Sequence, residues 1–316
     1  MFDTGNILRR WRDQITTFSE RPAVKRSIAG LQLIIFVLIV AWLVWRLTGI
    51  GWRNVMSGLP ASPWFYAFFA LRFVALPLSE AAIYEVIWDR PLARHFPAFL
   101  RKRVFNTAVA GYSGEAFFSF WARRTLGISD GAVLRGVKDN NILSALISNS
   151  ATVAIIALLY GNGLLGAGVD ALPPGAGSLI GLAFAIALIL SLAVLAFRNR
   201  LLSLPPDKLR RVAGLHIVRT AVIMALHAAM YAAALPASPI SAWLLFIAVQ
   251  LVISRIPFMP NQDLVFLGVA LTMAPVANAP EAAIAGMLVA ESALGHVVNL
   301  TLFLATSYVA RGAKAG

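Results

Sequence analysis

Residues 104–122 read VFNTAVAGYSGEAFFSFWA, and residues 241–274 read SAWLLFIAVQLVISRIPFMPNQDLVFLGVALTMA. Both are apolar runs broken near the middle. The first is interrupted by Gly111-Tyr112-Ser113-Gly114-Glu115. The second is interrupted by Arg255-Ile256-Pro257-Phe258-Met259-Pro260-Asn261-Gln262-Asp263. An ordinary membrane span carries neither helix breakers nor charges at depth, because unpaired backbone groups and ions are costly in hydrocarbon. Broken helices with acids at the break mark polar pathways through membranes.

The rest of the chain sets these runs in a membrane. Hydrophobic residues make up 59% and charged residues 13%, and the mean hydropathy is +0.77. That balance excludes an ordinary soluble domain. Several apolar stretches approach the roughly 20 residues that cross a bilayer core of about 30 Å. They are continuous rather than alternating, which disfavours a β-barrel. The fold class is therefore an all-α polytopic membrane protein. The absence of cysteine removes disulfides, cysteine-based metal sites and thiol chemistry. The run Ile28–Trp45 has no small-residue cleavage site after it and reads as an uncleaved first span.

Hydropathy assigns full spans at 28–47, 64–87, 140–160, 178–197, 216–235 and 282–309. The net charge of +13 is concentrated in alternate loops. Arg9, Arg10, Arg12, Arg21, Lys25 and Arg26 precede the first span, and Arg90, Arg94, Arg101, Lys102 and Arg103 follow the second. Arg198, Arg200, Lys208, Arg210 and Arg211 separate the fourth from the fifth, and Arg311 and Lys314 close the chain. The segments 161–177, 236–240 and 275–281 contain no Lys or Arg. The positive-inside rule places both termini in the cytoplasm and explains the charge without nucleic acid. The expected location is the inner (cytoplasmic) membrane of the cell. In the lead 1–27, Leu8, Trp11, Ile15 and Phe18 recur at helical spacing beside arginines. This suits an amphipathic helix on an anionic cytoplasmic leaflet; a solvated lead-in is the alternative.

Segment 104–122 is flanked by basic residues on both sides and 241–274 by none. Each is expected to enter and return, the first from the cytoplasmic face and the second from the opposite one. The chain then divides into a first membrane repeat, 28–160, and a second, 178–309, joined by a non-cytoplasmic loop, 161–177, and followed by a cytoplasmic tail, 310–316. The repeats have inverted topology, as in secondary transporters, whose sites lie near the midplane at the repeat interface. The alternative is eight full spans without re-entrant hairpins, with the basic block 123–138 outside.

The candidate substrate- or ion-binding residues are the polar groups at depth: Glu115, Arg72, Glu80, Asp139, Arg255, Asp263, Glu291 and His296. Glu115 either binds a cation, proton or headgroup or caps the half-helix starting at the Gly111/Gly114 break. Arg255 and Asp263 flank two prolines that favour unwound backbone, and they either contact a ligand or neutralise each other. Arg72 and Glu80 share one face of the second span, while Glu85 is nearer the interface. Glu291, His296 and Asn299 form a polar stripe on the last span. His227 reads as a hydrogen-bonded packing residue, and Asp139, Asn140 and Asn141 as a cap opening the third full span. No nucleophile elbow, P-loop, zinc-protease or dinucleotide motif occurs. His95, His216, His227 and His296 fall on separate elements, so no metal, cofactor or catalytic residue is expected.

Phe105–Leu146 carries an apolar entry with Asn106, the pair Gly114-Glu115, then Leu126-Gly127-Ile128, Ala132 and Val137-Lys138-Asp139. A proline turn follows later, Arg255-Ile256-Pro257-Phe258-Met259-Pro260. With these features the chain, from about Arg72 to Ser307, resembles the membrane domain of lysylphosphatidylglycerol synthases and related flippase-like proteins. Phe118, Asn140 and Leu267 stand where that pattern has two arginines and an acid. The resemblance implies a lipid-translocating or lipid-handling domain, here without the soluble aminoacyl-transfer domain. The expected function is a flippase-like transporter, not an enzyme, that moves an amphiphilic phospholipid or lipid-linked precursor between leaflets without ATP. The alternative is a membrane-embedded lipid-modifying transferase or an accessory subunit of a lipid-biosynthesis complex. Expected partners are membrane lipids, with lipid-biosynthesis enzymes or further copies of the chain as candidates.

Overall fold

The computed structural model describes residues 34, 37–38, 40–108, 113–163, 166, 170, 175–254 and 262–312. The amphipathic lead, the start of the first span, Gly111-Tyr112, much of the 161–177 loop, Arg255–Asn261 and the end of the tail lie outside the described residues. Among those described there is no strand. The helices in chain order are α1 (Val40–Ile50), α2 (Trp52–Ser57), α3 (Pro63–Trp88), α4 (Phe96–Ala108), α5 (Ser113–Leu126) and α6 (Asp130–Gly161). They continue with α7 (Ala176–Ala196), α8 (Arg198–Leu201), α9 (Pro206–Ala234), α10 (Ile240–Ile253), α11 (Gln262–Thr272) and α12 (Glu281–Gly312).

Among the described residues, four helices are long and apolar enough to cross a membrane: α3, α6, α9 and, over Glu281–Ala305, α12. Their polarity is inverted relative to a water-soluble bundle. Leu71, Val74 and Leu78 of α3, Ile217, Val218 and Val222 of α9, and Val297, Leu300 and Leu304 of α12 are all exposed. The same helices turn Tyr84, His216, His227, Tyr231 and Asn299 into the buried interior. Apolar outside and polar inside is the arrangement that hydrocarbon surroundings favour.

Local chemistry sets the helix ends beyond the hydropathy limits. Pro63 and Pro206 occupy first-turn positions, where the missing N–H has no helical partner to lose. Helix α6 starts at Asp130, well before the apolar run at 140–160. The expectation that Asp139, Asn140 and Asn141 open that span is therefore corrected. Hydropathy marks where a helix enters hydrocarbon, not where it begins. These three residues lie inside α6, and Asp139 and Asn140 are buried.

Helices α3 and α9 run antiparallel: Lys208 near the start of α9 donates to the Ile87 carbonyl (3.2 Å) at the end of α3. Toward the other end, Tyr231 of α9 and Arg72 of α3 both reach Glu291. Where α2 and α12 meet, a Cβ on Gly286 would lie 2.3 Å from the Gly58 carbonyl carbon. Only glycine permits that backbone approach. Arg46 of α1 pairs with Glu281 at the start of α12 (2.8 Å).

The two broken runs become two antiparallel helix pairs. In the first, Phe105 stacks on Phe117 (5.0 Å), Phe99 packs on Phe118 (4.9 Å) and His95 on Trp121 (5.4 Å). Its outer ends meet the end of α3, where the Arg90 side chain donates to the Leu126 carbonyl. In the second, Phe246 contacts Phe266 (6.3 Å) and Gln262 Nε2 donates to the Ser254 carbonyl (3.3 Å). This pair follows the end of α9 and leads into the start of α12, at the opposite end of the bundle. The arms contain 13 and 14 residues in one pair and 14 and 11 in the other. At 1.5 Å per residue each arm is about 17–21 Å long, short of the roughly 30 Å hydrocarbon core.

Candidate functional site

Two buried polar clusters lie on neighbouring faces of α4. The first surrounds Lys102, whose side chain is 1% exposed. Phe99, Lys102 and Asn106 share a helical face, so the lysine points inward between apolar neighbours. Its Nζ donates to Glu80 Oε1 of α3 (2.8 Å) and lies 3.5 Å from Glu115 Oε1 of α5. Asn106 of α4 reaches across the break to α5: its Nδ2 donates to Glu115 Oε1 (3.2 Å), and its Oδ1 accepts from the Gly114 N–H (2.7 Å). A Cβ on Gly114 would lie 2.1 Å from the Lys102 carbonyl oxygen, so glycine is what lets the two arms close. Two carboxylates share one ammonium here, and Glu115 Oε2 is buried without a hydrogen-bond partner.

The second cluster borders a cavity of about 700 Å³. Its apolar lining includes Val40, Leu43, Val44 and Leu47 of α1 and Phe69, Phe73 and Leu76 of α3. Its polar lining includes Arg72, Arg103, Gln250, Asp263, Glu291, Ser292, His296 and Asn299, with Arg72 on the same α3 face as Phe69 and Phe73. Arg103 follows Lys102 directly but, turned about 100° by the helix, faces this cavity, with its guanidinium 4.0 Å from the centre of the Phe73 ring. Glu291 is the most connected group. Arg72 donates to its Oε1, His227 Nε2 lies 3.3 Å from the same oxygen, and the Tyr231 hydroxyl donates to Oε2 (2.9 Å). One carboxylate thus ties α3, α9 and α12 together.

The sequence candidates divide accordingly. Arg72, Asp263, Glu291 and His296 gather at the cavity, whereas Glu80 and Glu115 belong to the Lys102 cluster. Asp139 joins neither: its Oδ2 accepts from the Ser203 N–H (2.8 Å) and its Oδ1 lies 3.3 Å from Lys138 Nζ, tying α6 to the α8–α9 link. Arg255, and with it the alternative of an Arg255–Asp263 pair, lies outside the described residues. Glu85 accepts from the backbone N–H of Leu92 and Ala93 (2.6 and 3.0 Å), closing the turn after α3. His227 is buried, as expected, and it also belongs to the Glu291 cluster.

Sequence reasoning missed Lys102, Arg103, Tyr231 and Gln250. Lys102 and Arg103 read as members of a cytoplasmic basic loop, yet they lie within α4. The signal was the i, i+3, i+7 spacing of Phe99, Lys102 and Asn106, which puts a cation on the packed face. Among the described residues, no three His, Asp or Glu side chains converge to hold a metal ion. No protein-family profile, curated protein or solved structure matches the chain.

Proposed function

We propose that this protein is a flippase-like transporter that moves an amphiphilic, phosphate-bearing lipid between leaflets. The observation that carries this reading is a cavity lined both by apolar side chains of α1 and α3 and by the charged Arg72, Arg103, Asp263 and Glu291. An acyl chain fits the apolar side chains and a headgroup the charged ones, with arginine suited to phosphate. The reading takes α4–α5 and α10–α11 as re-entrant hairpins in an inverted repeat, with six full spans and both termini cytoplasmic in an inner membrane. The short arms and the opposite ends at which the pairs open support it. The likeness to the membrane domain of lysylphosphatidylglycerol synthases agrees with this reading through Asn106 and Gly114-Glu115, which meet at the inner break.

The test is leaflet exchange of a fluorescent phosphatidylglycerol in reconstituted vesicles, read by dithionite quenching. Wild-type protein is expected to expose inner-leaflet label, and Arg72→Ala and Glu115→Gln to abolish that exposure at equal insertion. Wild-type vesicles that behave like protein-free ones would overturn the reading.

A further inference from the structure

The Glu291 cluster holds a cation that faces the cavity and a titratable ring that stands behind it. Arg72 both lines the cavity and donates to Glu291 Oε1. A headgroup phosphate entering the cavity competes with Glu291 for that guanidinium, and arginine cannot offset the change by giving up its own proton. Removing Arg72 from a buried carboxylate leaves an uncompensated charge, which proteins rarely tolerate. The Tyr231 hydroxyl already donates to Oε2 and supplies no charge. His227 does have charge to supply. It is buried, its Nε2 lies 3.3 Å from Oε1, and its ring packs on Tyr231 (4.4 Å).

The groups facing this histidine can be named element by element. Helix α3 brings Arg72, α12 brings Glu291, and its own helix brings Tyr231; Asp263 of α11 acts on both Tyr231 and Glu291, His296 of α12 acts on Asp263, and Arg103 of α4 lines the same cavity beside Arg72. Helix α10 contains no ionisable residue, and α6 contains none between Asn141 and Leu159. The loss of Arg72 is therefore answered locally by the His227–Glu291 pair.

Resting on the transport reading above, we propose that an anionic headgroup and one proton enter this site together. Arg72 turns from Glu291 to the phosphate, and the His227–Glu291 pair takes up one proton from solvent. No covalent bond to the lipid changes. The Arg72–Glu291 pair begins with one arginine cation balancing one carboxylate. It ends with that cation on the phosphate and a protonated His227–Glu291 pair. One monoanionic headgroup thus enters with one proton, so a proton gradient can drive its movement.

The experiment uses the purified full chain in dodecylmaltoside micelles and dihexanoylphosphatidylglycerol, a phosphodiester whose charge is constant near neutrality. Calorimetric titration in two buffers of different protonation enthalpy counts the protons taken up. About one proton per bound lipid is expected, with Kd rising about tenfold per pH unit on the alkaline side. Glu291→Gln, which leaves Arg72 without its carboxylate, is expected to bind with no proton uptake and a flat pH dependence. If that variant does not insert, His227→Gln reads the same pair and is expected to move the alkaline fall in affinity by more than one pH unit. Wild-type binding without proton uptake, or uptake that survives in Glu291→Gln, refutes the coupling while leaving the transport reading standing. Absence of wild-type binding at every pH refutes both.

Discussion

Arg72 and Glu291, 219 residues apart in the chain, form an ion pair on the wall of a cavity inside a bundle whose outer surface is apolar. Neither helix could place its charge there alone. Each charge makes the other tolerable in low dielectric, and the pairing fixes how α3 and α12 meet.

That relationship predicts strong non-additivity. Arg72→Gln or Glu291→Gln alone is expected to destabilise the protein by about 3–5 kcal/mol, because each leaves a buried charge unpaired. The double variant is expected to recover more than half of the summed loss, with its amides hydrogen-bonded to each other. Thermal unfolding of the four proteins in detergent gives the coupling directly. Strictly additive losses would show that the pair contributes nothing as a pair.

The inner break depends on one glycine. Gly114→Ala drives a methyl group to 2.1 Å from the Lys102 carbonyl oxygen and 2.6 Å from Asn106 Oδ1, so α4 and α5 must separate. The expected loss is about 1–3 kcal/mol, the usual range for overpacking a filled site. Gly161→Ala is the control, since its Cβ would meet nothing within 4 Å. The difference in melting temperature between the two variants measures the closure; equal values would contradict it.

Lys102 compensates two acids at once. Lys102→Met is expected to cost about 3–5 kcal/mol by leaving Glu80 and Glu115 without their cation. Adding Glu80→Gln removes one of the orphaned charges and is expected to restore part of the stability. A second-site substitution that worsens Lys102→Met would mean that the lysine acts through packing rather than charge.

Hydropathy and loop charge made the helical class and the two broken runs legible, because both follow from composition over many residues. The helix ends were less legible. Asp130 and Pro206 begin helices in polar sequence that a hydropathy window cannot distinguish from loop. The site was partly legible: Arg72, Glu115, Asp263 and Glu291 stand out as charges in apolar runs. Their division into two clusters was not, since it depends on which helices pack together. Lys102 was hidden for a further reason. It sits in a basic triplet whose most economical explanation is topology, and only the packed face of α4 separates it from Arg101 and Arg103.

The course of the broken runs can be tested chemically, since the chain has no cysteine of its own. Thr125→Cys lies just beyond the first broken run, at an exposed site near the end of α5. If α4 and α5 enter and return, this position labels with an impermeant maleimide from the same face as Cys at Arg94, an exposed site between α3 and α4. If the run crosses fully, the two label from opposite faces. The outer pair is read at Ser238→Cys, between α9 and α10, and Asn278→Cys, between α11 and α12. Common labelling of these two, from the face opposite Thr125→Cys, is the pattern that a mirrored pair of re-entrant hairpins requires. Labelling of Thr125→Cys and Arg94→Cys from opposite faces would instead establish the eight-span course for the first run.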